Sequence, residues 1–127
     1  ALHDATEGGV IGGLVELARA CGHDLRVERA RIPLSPEARV ACEVFGIDPW
    51  RALSAGTLIA TVRPGSVADV LASLADARIE AAEVGEVARG SGALRLAEPG
   101  GAEGVLTEPE PDPYWEAYAR AVREGWS

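Results

Sequence analysis

The segment Asp4-Ala5-Thr6-Glu7-Gly8-Gly9 runs straight into a stretch where Val10, Leu14, Leu17, Ala18 and Cys21 recur at helical spacing, and Gly22 ends it. A helix N-terminus carries unpaired N–H groups and a partial positive charge, and paired glycines let other groups approach its backbone closely. The opening therefore has two readings. In one it is an anion site, where Asp4 and Glu7 repel a naked phosphate but share a Mg²⁺ ion with one. In the other it is only a cap, with Thr6 or Asp4 bonding the first-turn N–H groups and Glu7 favouring the helix dipole.

The rest of the chain alternates between helix and strand patterns. Asp24 to Arg29 alternates Leu25 and Val27 with charges and reads as a strand. Pro33 and Pro36 bracket a turn, and Ser35 caps a helix running to Phe45, broken by Gly46-Ile47-Asp48-Pro49. Trp50 to Leu53 reads as a short helical turn. Thr57 to Val62, β-branched and apolar, reads as a buried strand. Pro64-Gly65-Ser66 opens a helix with Val67, Val70, Leu71 and Leu74 inward. Strands at 82–89 and 93–97 flank Gly90-Ser91-Gly92, a hairpin signature, and a short strand spans Val105 to Thr107. After Pro109, Pro111 and Pro113 a last helix carries Trp115, Tyr118, Ala119, Val122 and Trp126 on one stripe, which reads as a docking face. This order implies an α/β fold, an α/β/α sandwich with a mixed β-sheet and flanking helices.

Composition narrows the function classes. Net charge is −8, from 20 acids and 12 bases, and every base is an arginine. The arginines are scattered, so no basic stripe fits a nucleic acid. The absence of Lys excludes a P-loop or Schiff-base lysine within this chain. Cys21 and Cys42 lack metal-ligand spacing and read as reduced core thiols; His3 and His23 form no zinc pair, and His23 reads as a cap beyond Gly22. No apolar run reaches the roughly 18 residues of a membrane span, and no signal peptide is visible, so a cytoplasmic protein without membrane or nucleic-acid partners is expected. The chain holds no Met and starts just before its richest motif, which reads as a cut at a domain boundary.

His3-Asp4-Ala5-Thr6-Glu7-Gly8-Gly9 resembles the Asp-x-Thr-x-Gly-Gly signature opening the C-terminal domain of the aminoimidazole ribonucleotide (AIR) synthetase superfamily. Asp48-Pro49 with Ser54-Ala55-Gly56-Thr57-Leu58 is similar to that family's Asp-Pro…Ser-x-Gly-x-Leu segment, and Val84-Gly85-Glu86-Val87 to its Ile-Gly-Glu-Val strand. The three motifs occur in the family's order over roughly the first ninety residues, nearest to AIR synthase-related proteins and the hydrogenase-maturation branch. The resemblance implies one domain over residues 1–127, the C-terminal half of an ATP-dependent enzyme. A separate N-terminal domain would carry most Mg-ATP ligands and usually the homodimer interface. It places Asp4, Thr6, Glu7, Gly8 and Gly9 against phosphate or acceptor, with Asp4 a Mg²⁺ ligand, and Ser54, Gly56 and Thr57 in a second loop near the cleft. It implies Mg-ATP in the full-length protein, none tightly bound to this part, and a small phosphorylated, carboxylate or amide substrate. Glu7 departs from the maturation branch, which often has Arg there, and the chain ends Glu124-Gly125-Trp126-Ser127 without that branch's catalytic Cys tail.

Three functions follow. One is phosphoryl transfer by the parent enzyme, in which this part closes the cleft and is inactive alone. Another is a ligand-binding or regulatory relative without turnover. The third is an interaction module acting through the C-terminal helix.

Overall fold

The chain is built around its first helix. In a computed structural model, which describes residues 1–126, α1 (Gly9–Cys21) lies against two separate sheets. One is a pair, β1 (Leu2–Ala5) antiparallel to β3 (Thr57–Ala60). The other has four strands in the order β4 (Gly85–Ala88), β2 (Asp24–Glu28), β5 (Leu94–Ala97) and β6 (Glu103–Leu106). Its β2–β5 pairing is parallel and its other two pairings are antiparallel, so it is the expected mixed sheet. The flanking helices are α2 (Pro36–Phe45), α3 (Val67–Asp76) and α4 (Pro113–Arg123). The α/β class is as expected, with the strands parted into two sheets.

That division explains why α1 is buried nearly all round. Its Ile11, Leu14, Val15, Leu17 and Ala18 share one core with Leu25, Val27, Leu94 and Leu96 of the larger sheet. Burial of each large member contributes about 1.5–3 kcal/mol. Toward the smaller sheet it presents glycine. A Cβ on Gly13 would stand 3.0 Å from Ile59 Cδ1 and 3.3 Å from Ala5 Cβ, so β1 and β3 approach the helix where it has no side chain. Gly22 ends α1 at φ 66°, its N–H donating to the carbonyls of Ala18 and Arg19, and His23 Nδ1 lies 2.8 Å from the Cys21 carbonyl, the capping role expected of it.

Several local expectations are corrected. Gly90-Ser91-Gly92 does not close a hairpin, because β2 lies between β4 and β5. The turn instead passes over the end of β2, where the Asp24 carboxylate, 3% exposed, accepts the N–H groups of Ser91 (2.9 Å), Gly92 (3.2 Å) and Ala93 (3.1 Å). The short helical turn expected at Trp50 to Leu53 is a single turn, in which the Asp48 carbonyl accepts the N–H groups of Arg51 and Ala52, both at 3.1 Å. In β3 burial alternates, with Ile59 toward α1 and Leu58 outward, since a strand covered on one face buries only every second residue. Cys21 is exposed and Cys42 half-buried, both as free thiols.

The aromatic stripe of α4 faces out: Trp115, Tyr118 and Val122 are 51–55% exposed, while Trp126, beyond the helix and 54% exposed, lies with its ring 5.7 Å from that of Phe45. The helix docks through Ala117, its one buried residue, and through Arg120, which donates to the Phe45 carbonyl at 2.6 Å. A small face lets the backbone of α4 come close, which a row of indoles would prevent.

Candidate functional site

The opening motif splits between two elements. His3, Asp4 and Ala5 belong to β1, Thr6 to Gly8 form a turn, and α1 begins at Gly9. Neither Thr6 nor Asp4 caps the helix, and no acid lies in its first turn. The simple capping reading is therefore set aside. Gly8 stands at the cap in a left-handed conformation, φ 75°, and its N–H donates to Asp112 Oδ2 at 2.9 Å. The acceptor that α1 lacks locally comes from 104 residues downstream.

The two motif loops meet. The Thr6 carbonyl accepts the N–H of Gly9 at 3.2 Å and the N–H of Ser54 at 3.1 Å. Antiparallel pairing sets Ala5 opposite Thr57 and Asp4 opposite Leu58, so the end of β1 lies beside the start of β3. Ser54 Oγ and Thr57 Oγ1 bond each other at 2.8 Å. Gly56, at φ 93° with open space where a Cβ would be, serves the turn rather than a close approach.

Gly9 has a different task. With φ 63° and a would-be Cβ 2.5 Å from the Trp50 carbonyl oxygen and 2.6 Å from that of Ala52, it makes room for the protein's own backbone. The Ile11 N–H then donates to the Trp50 carbonyl at 3.0 Å, tying α1 to the Trp50 loop.

Asp4, Thr6 and Glu7 are exposed, and Asp4 projects from the outer face of the β1–β3 pair, beside Leu2 and Leu58. Among the described residues no three His, Cys, Asp or Glu side chains gather to hold a metal. The donor set around Asp4 is thus fewer than three such groups, which fits Mg²⁺ only when a phosphate and other groups complete the octahedron. His3 turns toward α1, its Nε2 lying 2.8 Å from Glu16 Oε2.

Sequence reading missed the residues that frame this site. Asp48 accepts the Trp50 N–H at 3.1 Å and pairs with both Arg29 and Arg51. Arg29 also reaches Glu98 at 3.0 Å and lies 4.7 Å over the Trp50 ring. Burial acts to lower the Arg29 pKa, but hydrogen bonds to Asp48 and Glu98 outweigh it and raise it. Arg51 reaches onward to Glu110. A chain of alternating charges thus runs from Glu98 to the acidic segment before α4. Arg29 and Arg51 had no local signal, being two of twelve scattered arginines.

The geometry agrees with what the chain is similar to. Residues 1–96 match the family described as "AIR synthase related protein, C-terminal domain". The carbamoyl dehydratase HypE of Escherichia coli (strain K12) is 36% identical over 115 residues, 89% of this chain and 34% of that protein. A crystal structure of E. coli HypE, a hydrogenase maturation protein, superposes with a TM-score of 0.76 at 34% identity, covering 89% of this chain and 36% of the other. Structures described as HypE in complex with ATP (TM-score 0.77, 24% identity, 89% of this chain and 36% of the other) and as a HypE–HypF complex (TM-score 0.73, 23% identity, 86% and 36%) share the fold. The chain spans about a third of the length of these relatives. With residues 1–96 matching its model, the three motifs in order, the first two joined in space and the fold shared, the chain belongs to the family of AIR synthase-related C-terminal domains.

Proposed function

We infer that this chain is the single C-terminal domain of an ATP-dependent, HypE-like enzyme, and that it closes a Mg-ATP or phosphosubstrate cleft carried mainly by an N-terminal domain. The observation that supports this most directly is the Thr6 carbonyl, which joins the Thr6–Gly9 and Ser54–Thr57 loops into one edge. Asp4 stands beside that edge as the carboxylate able to share a Mg²⁺ ion with a bound phosphate. Thr6, Glu7 and Gly8 line the first loop; Ser54, Gly56 and Thr57 form the second. Gly9 acts through the fold, by seating α1 on the Trp50 loop. ATP, as in the relative crystallised with it, is the proposed nucleotide. The acceptor is a small phosphorylated, carboxylate or amide compound. Pairing with the N-terminal domain, homodimerisation and a cytoplasmic location belong to the same proposal; no helix of the described residues is long and apolar enough to cross a membrane.

The test is Asp4→Asn in the protein carrying both domains. Losing one charged ligand of a shared cation weakens Mg²⁺-dependent ATP binding by about tenfold or more, since hydrogen bonds and contacts to charged groups contribute roughly 1.5–3 kcal/mol. Melting stays as in the parent, because Asp4 is exposed and makes no ion pair among the described residues. A calorimetric titration with unchanged affinity refutes the assignment.

A second reading has its own observation. The outward stripe of Trp115, Tyr118, Val122 and Trp126 favours a contact role for α4, which is compatible with catalysis in the parent protein.

A further inference from the structure

The stretch 107–112, Thr-Glu-Pro-Glu-Pro-Asp, runs beside α1 from its last turn to the turn before its start, and carries an acid at every second position. Glu108 pairs with Arg19 on α1, Glu110 with Arg51 of the Trp50 loop, and Asp112 with the Gly8 N–H at 2.9 Å. Pro109, Pro111 and Pro113 have no N–H to give, and no backbone hydrogen bond anchors residues 107–112. Among the described residues its polar ties are all made by side chains, and the two ion pairs are solvent-exposed on the acid side, where such pairs are weakly held. Beneath it lies a crevice lined by Gly8, Ile11, Gly12, Val15, Arg51 and Leu106, with a volume of about 10 Å³, no more than one water.

Asp112 links two elements. Its Oδ1 caps α4 by accepting the Tyr114 N–H at 2.8 Å, while its Oδ2 accepts from Gly8. One carboxylate therefore couples the start of α4 to the turn at the start of α1.

We propose that residues 107–112 form a releasable acidic strap. Closed, it occupies the Gly8 N–H and Arg51; open, it frees both and uncaps α4. Its role toward ligand rests on the reading above, that the Thr6–Gly9 loop faces a phosphate. A phosphate and the Asp112 carboxylate carry like charge and compete for one N–H, so ligand binding opens the strap and loosens the first turn of α4. The candidate site and the outward aromatic stripe are then mechanically connected.

Hydrogen exchange tests the strap in two steps. In this chain, the double variant Glu108→Gln, Glu110→Gln and, separately, Asp112→Ala should speed exchange at Gly8 and at Tyr114 by about tenfold or more, while Leu14 to Ala18 of α1 stay protected. The double variant alters only exposed acids, so it remains informative if Asp112→Ala loosens the whole fold. Unchanged exchange at Gly8 in the double variant overturns the strap. In the protein carrying both domains, Mg-ATP should speed exchange at Tyr114. Binding of Mg-ATP with that amide as protected as before also overturns it. If Mg-ATP does not bind at all, the proposed function fails instead, and the strap is decided by the double variant.

Discussion

Gly9→Ala is the substitution whose cost the structure fixes most closely. Gly9 has φ 63°, and an added Cβ would lie 2.5 Å, 2.6 Å and 2.8 Å from backbone atoms of Trp50, Ala52 and Arg51. None of these is the free end of a side chain, so the Trp50 loop or α1 must move. Left-handed backbone costs an L-residue roughly 1–2 kcal/mol, and overpacking a close contact adds about 1–3 kcal/mol. The expected loss is about 2–5 kcal/mol, a large share of the roughly 5–15 kcal/mol that holds a domain folded. Gly8→Ala is the internal control. Its φ is 75°, but the nearest atoms to a Cβ are Gly12 Cα at 3.5 Å and the Glu110 carbonyl oxygen at 3.7 Å, so it incurs the backbone strain alone. Urea denaturation of both variants measures the difference: midpoints should fall for both, and further for Gly9→Ala by the overpacking share, about 1–3 kcal/mol. Equal losses would refute the assignment of Gly9 to the Trp50 loop. The comparison also selects the better functional probe. Loss of ligand in a Gly9 variant follows from misfolding, whereas Gly8→Ala keeps the packing and only adds a methyl group beside the N–H that Asp112 occupies.

Two more outcomes follow from the fold. The Asp24 carboxyl is lowered from 3.8 to about 2, chiefly by the Ala93 N–H and then by Arg95 at 2.8 Å, against the opposing effect of burial. A carboxylate depressed in the folded state stabilises it above the unfolded pKa and ceases to as pH falls through the folded one. Melting temperature should therefore drop between about pH 4 and pH 2, and Asp24→Asn should melt lower at neutral pH with a flatter profile over that window; a parallel profile would refute the turn-clamp role. On α4, Trp115→Ala should stay within about 0.5 kcal/mol of the parent, as surface changes do. Ala117→Glu should lose about 1–3 kcal/mol or more by burying a polar group, and thermal melts that reverse this order would restore the stripe as the docking face.

Local chemistry carried much of the fold into the sequence. Ser35 caps α2 by accepting the Ala38 N–H at 3.1 Å, and Gly22 and Gly46 end their helices at φ 66° and 65°, all at the positions where turn chemistry places them. The alternation of Leu25 and Val27 is the buried face of β2. These features depend on residues a few positions apart. Asp24, by contrast, looked like the polar start of a strand; only the arrival of residues 91–95 beside it makes it a clamp. The hairpin expectation failed for the same reason. A Gly-Ser-Gly turn specifies a reversal of the chain, but not which strand lies between the arms.

The candidate site divides along that line. Asp4, Thr6, Gly8 and Gly9, with Ser54 and Thr57, are legible as motifs because their order and spacing are local properties. That the two loops share the Thr6 carbonyl, that Gly9 serves the Trp50 loop, and that Asp112 reaches Gly8 across 104 residues are tertiary facts. The α4 stripe shows the limit most plainly. Periodicity identifies an apolar face, but burial depends on which face the neighbouring backbone can approach, and here the small side of Ala117 fits where Trp115 does not. The sequence by itself determined the helices, most of the strands and the family, but not β1 (Leu2–Ala5), which carries no pattern of its own within four residues. Tertiary structure decided which elements touch, because hydrogen bonds and close packing form between groups whose separation along the chain carries no information about their separation in space.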